Sequence, residues 1–117
     1  MSRRFRWRDY RTQNGAQPVT VFIRSLTDED AAAVLEAMND VAQNGLQAAR
    51  HLRGEIYEVR ADGERRTFRL LFAQETKFIL LSLSAFTKKS RKTPPDEIVR
   101  AEARLRDWRS RGRPLRR

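Results

Sequence analysis

Residues 55–86, EIYEVRADGERRTFRLLFAQETKFILLSLSAF, decide the fold. Asp62-Gly63 and the stretch Gln74 to Thr76 are turn signals. They divide the segment into three strand-like runs: Glu55 to Arg60, Arg65 to Ala73 and Lys77 to Phe86. Short turns between consecutive strands make an antiparallel meander. In the third run Phe78-Ile79-Leu80-Leu81 is apolar on both faces, which places that strand inside the sheet. Strict alternation puts Tyr57, Val59, Phe68, Leu70, Phe72, Leu81 and Leu83 on one face, where helices must cover them. The other face collects Glu58, Arg60, Thr67, Arg69, Ser82 and Ser84.

The cover is found upstream. Pro18 opens a short helix whose apolar stripe is Val19, Phe22, Ile23 and Leu26. Thr27 caps a second helix with Asp28, Glu29 and Asp30 in its first turn. Its stripe runs Ala31, Val34, Leu35, Met38, Val41 and Ala42 until Asn44-Gly45 stops it. Before both, Phe5, Trp7 and Tyr10 alternate with arginines as a short half-buried strand. Downstream, Thr93-Pro94-Pro95-Asp96 starts a last helix with Ile98, Ala101, Leu105 and Trp108 on one side, and Gly112 and Pro114 end it. The predicted order is β-α-α-β-β-β-α, an α+β domain over residues 1–108 with a basic, Arg-rich tail at 109–117. The helices are expected on one sheet face and the other face is expected to be comparatively open.

The chain has 117 residues, 25 Lys+Arg against 15 Asp+Glu, and a net charge of +10. Residues 1–11 carry +4, residues 88–117 carry +8 and the middle carries −2, so the basicity belongs to the two ends. A polyanion, RNA or DNA, is the first partner this suggests. Of the cations 21 are Arg, whose planar fork suits phosphate. The absence of Cys excludes disulfides, thiolate metal sites and a cysteine nucleophile, and fits a reducing cytoplasm. No apolar segment follows the basic N-terminus, so neither export nor membrane insertion is expected.

The polar strand face and the run Lys88, Lys89, Arg91 and Lys92 make a basic cleft suited to a phosphodiester. Guanidinium groups would neutralise charge building on the phosphorane while positioned groups move protons. With one His, metal-bound hydrolysis is poorly supported; cleavage of RNA through its own 2′-hydroxyl asks least of the protein. Lys88 or Lys89, crowded among cations, is a candidate proton-transfer group. Phe86 is a candidate base-stacking ring. His51, Trp7 and Trp108 read as structural.

Three motifs in this order and spacing carry a resemblance: Leu52-Arg53-Gly54-Glu55-Ile56-Tyr57-Glu58-Val59-Arg60, then Arg66-Thr67-Phe68-Arg69, then Phe86-Thr87-Lys88-Lys89-Ser90-Arg91-Lys92-Thr93-Pro94. Together they resemble the phage-derived HigB-like toxins of the RelE/ParE superfamily. The resemblance implies a small antiparallel sheet with two N-terminal helices, and the toxin of a type II toxin–antitoxin pair. It further implies metal-independent mRNA cleavage in the ribosomal A site, no cofactor, and neutralisation by a HigA-like helix-turn-helix antitoxin. By the same resemblance, Arg69 and Arg60 stabilise the transition state and Lys88 and Lys89 bind phosphate or transfer a proton. Phe86 stacks on a base, Arg66, Arg91 and Lys92 bind RNA, and Glu58 is a candidate general base. Ser84, Phe86 and Thr87 stand where several relatives place His or Tyr, which leaves the acid and base unassigned. An acidic antitoxin segment is expected on the basic last helix, at Arg100, Arg104 and Arg106. Two other classes stay open: a ParE-type gyrase poison without enzymatic activity, and a nucleic-acid-binding module.

Overall fold

The computed structural model describes residues 4–111. Strand β1 (Arg6–Asp9) leads into helix α1 (Pro18–Arg24) and helix α2 (Asp28–Asn44), followed by one 3₁₀ turn (Gly45–Ala48). Four strands follow, β2 (Arg50–Arg53), β3 (Ile56–Asp62), β4 (Thr67–Gln74) and β5 (Ile79–Thr87), and then helix α3 (Pro95–Ser110). The strands form one sheet in the order β1-β5-β4-β3-β2, antiparallel except for the parallel β1–β5 pair. The α+β class, the helical hairpin and the central meander are as the sequence predicts. Strand β2, an extra edge made by Arg50-His51-Leu52-Arg53, was not expected.

Local chemistry accounts for the hairpin. Pro18 stands at the start of α1, and the Thr27 hydroxyl accepts the Asp30 amide hydrogen at the start of α2. Gly45 ends α2 at φ 83°, a conformation few other residues accept. The stripes of α1 and α2 pack Val19, Val34, Met38 and Val41 against Val59, Ala61, Phe68, Leu70, Phe72 and Leu80.

The opposite face is not open. Helix α3 lies across it and builds a second core from Ala101, Leu105 and Trp108 with Tyr10, Ile56, Leu71, Ala73, Leu81 and Leu83. The expected parity of β5 is corrected at the same place. A bulge opposite Leu71 and Phe72 pairs Leu71 with Ser84 but Phe72 with Ser82. The extra residue sends Leu81 and Leu83 to the α3 side, and leaves Leu80 and Ser82 facing the hairpin. Ser82 there donates to Asp9 at 2.6 Å. Phe78 precedes the strand and is exposed. Helix α3 runs through Ser110, past the expected boundary at 108, and the expected stop at Gly112 and Pro114 lies outside the described residues.

The three residues read as structural are so placed. Trp7 donates its indole N–H to the Met38 carbonyl at 2.8 Å and meets Phe72 edge-on; Trp108 is buried in the second core. The His51 Nε2 lies 2.8 Å from the Gly54 carbonyl, and the ring packs beside Tyr57.

Candidate functional site

Helix α3 leaves one end of its sheet face uncovered, where the β3–β4 turn and residues 88–94 meet. The Lys88 amide donates to the Thr67 carbonyl at 2.8 Å, which extends the β4–β5 ladder beyond Thr87 and fixes where the basic segment leaves the sheet. Arg60 and Arg69 are register partners on β3 and β4, and Arg69 is the partner of Phe86 on β5. Phe86 shares the face of Arg69, as strict alternation from Leu81 and Leu83 also places it; what the bulge changes is that Leu81 and Leu83 join that face.

Beneath the surface is a latch. Arg69 and Glu58 are 4% and 5% exposed, and Arg69 Nε lies 3.5 Å from Glu58 Oε2. The Thr93 hydroxyl donates to the same Oε2 at 2.5 Å and accepts from Arg69 Nη1 at 3.2 Å. Arg69 Nη2 donates to the Arg91 carbonyl at 2.7 Å. Every nitrogen of the guanidinium faces a protein acceptor, and the pair is cut off from solvent. Such a buried pair holds only while all its hydrogen bonds are met. Its geometric effect is to tie residues 91–93 to the middle of the sheet. Thr93 was missed in the sequence, where it reads only as the residue before Pro94-Pro95.

Above the latch the remaining cations face solvent. Arg60, Arg66, Lys89, Arg91 and Lys92 are exposed and Lys88 is half-buried; Arg65, not singled out before, is exposed beside Arg66. The counter-charges are Asp62 and Glu64. Asp62 accepts from Arg60 Nε at 3.1 Å and from the Thr67 hydroxyl at 3.0 Å. Those two bonds, with the charges of Arg60 and Lys88 nearby, hold its carboxyl below the ordinary range. Asp62 therefore stays ionised and orients Arg60; in the sequence it reads only as half of a turn signal. The turn itself is fixed to α2 by the Glu64 amide, which donates to Asp30 Oδ1 at 3.0 Å. Phe86 is half-buried against the second core.

The structure therefore brings the candidate residues into one neighbourhood but divides them into two layers. Arg60, Lys88, Lys89, Arg91, Lys92, Arg66 and Phe86 have surface to offer a ligand. Arg69 and Glu58 do not, because their polar atoms are occupied by each other, by Thr93 and by the Arg91 backbone. On α3, Arg104 is also spent, donating to the Leu83 carbonyl at 2.8 Å, while Arg106 is exposed and Arg100 pairs with Glu97. Among the described residues no three His, Asp or Glu side chains cluster as metal ligands, and no helix is long and apolar enough to cross a membrane.

The family described as Phage derived protein Gp49-like (DUF891) matches residues 21–106, which span α1 to most of α3 and the whole of the surface just described. The chain belongs to this family. No curated protein matches it. Both layers of the Gp49-like site, from Glu58 to Thr93, fall inside the matched span, while β1 lies outside it.

Proposed function

We propose that this Gp49-like protein is the toxin of a type II toxin–antitoxin pair, a HigB-like, ribosome-dependent endoribonuclease of the RelE/ParE superfamily. The observation that carries the reading is the exposed cations Arg60, Lys89, Arg91 and Lys92 with the half-buried Lys88, beside a buried latch that ties residues 91–93 to Arg69, the register partner of Phe86. A phosphorane needs preorganised cations whose positions do not relax as charge builds. Arg60, oriented by Asp62, and Lys88, fixed by its ladder bond, have that character. Phe86 offers a ring edge beside them for an unstacked base.

In this mechanism the mRNA backbone lies over the open end of the sheet. Lys88 and Lys89 contact the scissile phosphate and exchange protons with the attacking and leaving oxygens. Arg60 stabilises the phosphorane, and Arg66, Arg91 and Lys92 hold flanking phosphates. The substrate's 2′-hydroxyl attacks its own phosphorus, the P–O5′ bond breaks, and the products carry a 2′,3′-cyclic phosphate and a 5′-hydroxyl. Arg69 and Glu58 act as positioning residues through residues 91–93. The proposed partner is a HigA-like helix-turn-helix antitoxin, and the proposed location is the cytoplasm, where ribosomes are.

The test is the chemistry of the ends. The purified protein, added to translating ribosomes on a defined mRNA, should yield fragments that accept a radiolabelled phosphate at their 5′ ends without phosphatase treatment. Fragments with 5′-phosphates would contradict the 2′-hydroxyl route. Intact mRNA with inhibited supercoiling by DNA gyrase would replace it with the ParE-type poison.

A further inference from the structure

The N-terminal cluster of arginines plays no part in the surface above. Arg8 and Arg11 lie on β1 and just after it, at the other end of α3, about 20 Å from Pro95 along a helix rising 1.5 Å per residue. There the 11–17 loop and the last turn of α3 flank a half-open cavity of about 630 Å³, lined by Arg8, Arg11, Arg111, Trp108, Asp9 and Asn14 among others. That volume matches a nucleotide-sized ligand.

The charges around it are unequally satisfied. Asp9 is the one carboxylate in the lining, and its two oxygens accept from Ser82 at 2.6 Å and Thr20 at 3.3 Å. Arg111 donates to Asp107 at 2.9 Å and to the Arg11 carbonyl, which ties the loop to the helix end. Among the described residues neither the Arg8 nor the Arg11 side chain has an ion-pair partner. A second observation is independent of charge. Trp108 is a residue of the cavity wall, and its Nε1–H, itself buried, has no acceptor among the described residues, although buried polar groups are almost always paired; the Trp7 indole N–H has Met38.

We propose that this cavity is a second, phosphate-binding site that takes a nucleotide-sized ligand. The Arg8 and Arg11 guanidinium groups, without an ion-pair partner among the described residues, offer the forked donors that phosphate oxygens accept, Arg111 adds a third positive charge, and Trp108 supplies an apolar wall. The phosphate is carried either by a free nucleotide or by one unit of an RNA chain, and the two share this recognition chemistry. The site does not depend on the proposed nuclease activity.

The test uses the full-length protein labelled with ¹⁵N, with the two indole N–H resonances as reporters. Adenosine 5′-monophosphate, inorganic phosphate and a 12-nucleotide RNA are titrated separately. The expected result is a saturable shift of the Trp108 signal with an unmoved Trp7 signal. The double variant Arg8→Gln/Arg11→Gln should weaken that titration at least tenfold, and Arg24→Gln, at the exposed end of α1, should leave it unchanged. Saturation by the mononucleotide identifies a free nucleotide as the source; a response to the RNA alone identifies the chain. Because Arg111→Gln also removes the tie to Arg11, the double variant keeps the test independent of local unfolding. A Trp108 signal that moves with none of the three probes overturns the proposal. So does one that moves equally in wild type and the double variant, which would mark an adventitious ion only.

Discussion

Replacing Thr93 by valine should loosen the basic segment from the sheet while leaving both cores intact. Valine keeps the shape of the side chain and removes the hydroxyl that bridges Glu58 Oε2 at 2.5 Å and Arg69 Nη1 at 3.2 Å. Glu58 then loses a charge-assisted bond in a site where water cannot replace it, a cost of about 1.5–3 kcal/mol. Arg69 keeps Glu58 and the Arg91 carbonyl, so its longer bond to Thr93 adds only about 0.5–1 kcal/mol. Taking about 3 kcal/mol for the whole, and roughly 4 °C per kcal/mol for a chain of this length, Tm falls by about 12 °C. Amide exchange at Lys88, whose hydrogen bond to Thr67 closes the ladder, should accelerate in the same variant. Thr93→Ser, which keeps the hydroxyl, should recover most of the loss. Thermal melts with hydrogen exchange read by mass spectrometry make the comparison. A Thr93→Val melt within 2 °C of wild type, with unchanged exchange over 88–94, would refute the latch.

Gly63→Ala should cost about 1–3 kcal/mol, because an added Cβ would meet Phe68 Cε2, fixed in the core, at 2.8 Å and would displace Asp30 Oδ1, which holds the Glu64 amide; an unchanged urea midpoint would count against this packing. Acid should release α3. Glu55 is held below its ordinary 4.5 chiefly by the bond from Arg109, Glu102 below the same value chiefly by Arg53, and Asp107 below 3.8 chiefly by Tyr10. With folded values depressed, this stabilisation is complete above the ordinary values and lost as pH falls through the folded ones, so the urea midpoint should stay flat from pH 7 to 5 and fall toward pH 3. A midpoint that rises toward pH 3 would show that these pairs do not hold the helix. For RNA, Lys89→Ala/Lys92→Ala removes two exposed phosphate contacts and should flatten the slope of log K against log salt by about 1.4, at roughly 0.7 per contact for a single strand. Anisotropy titrations of a 12-nucleotide RNA over a range of NaCl concentrations measure it, and an unaltered slope would place the RNA elsewhere.

Most of the fold could be read from local signals because each signal acts locally. Thr27 caps α2 through its own neighbour Asp30, Asn44-Gly45 ends it, and the turns at Asp62-Gly63 and Gln74 to Thr76 separate the strands. What was not legible depends on pairing across the chain. The bulge between Leu71 and Phe72 shifts β5 by one residue, and one residue is enough to turn Leu81 and Leu83 to the other face. The stripe Ile98, Ala101, Leu105 and Trp108 announces a buried side of α3 without saying which sheet face receives it. The signal for a two-sided sheet was present in β4, where Leu71 and Ala73 are as apolar as Phe68, Leu70 and Phe72.

The candidate site was legible as a list of neighbours rather than as layers. An arginine on a polar strand face reads as solvent-facing, and Arg69 is buried because Glu58 two strand positions away in register and Thr93 from a distant segment complete its hydrogen bonds. Phe86, in contrast, stands in register with Arg69 on the face that alternation gives it, and the bulge upsets the parity of β5 only from Leu83 back toward Leu81. Asp62 was hidden by its role in a turn, although its position between Arg60, Thr67 and Lys88 makes it the ionised partner of the surface layer.

The central claim, that the exposed layer over the latch cleaves mRNA on the ribosome, is tested most directly by mapping new mRNA 5′ ends across a bacterial transcriptome after brief induction. Wild type is compared with Arg60→Ala and Lys88→Ala, both in the surface layer, and with Arg24→Gln at the end of α1 as a folded control outside both proposed sites. The expected result is new ends inside translated frames at a fixed position within the codon, abolished by either alanine substitution and retained in the control. Growth arrest without new ends, or ends that persist at full strength in both alanine variants, would contradict it.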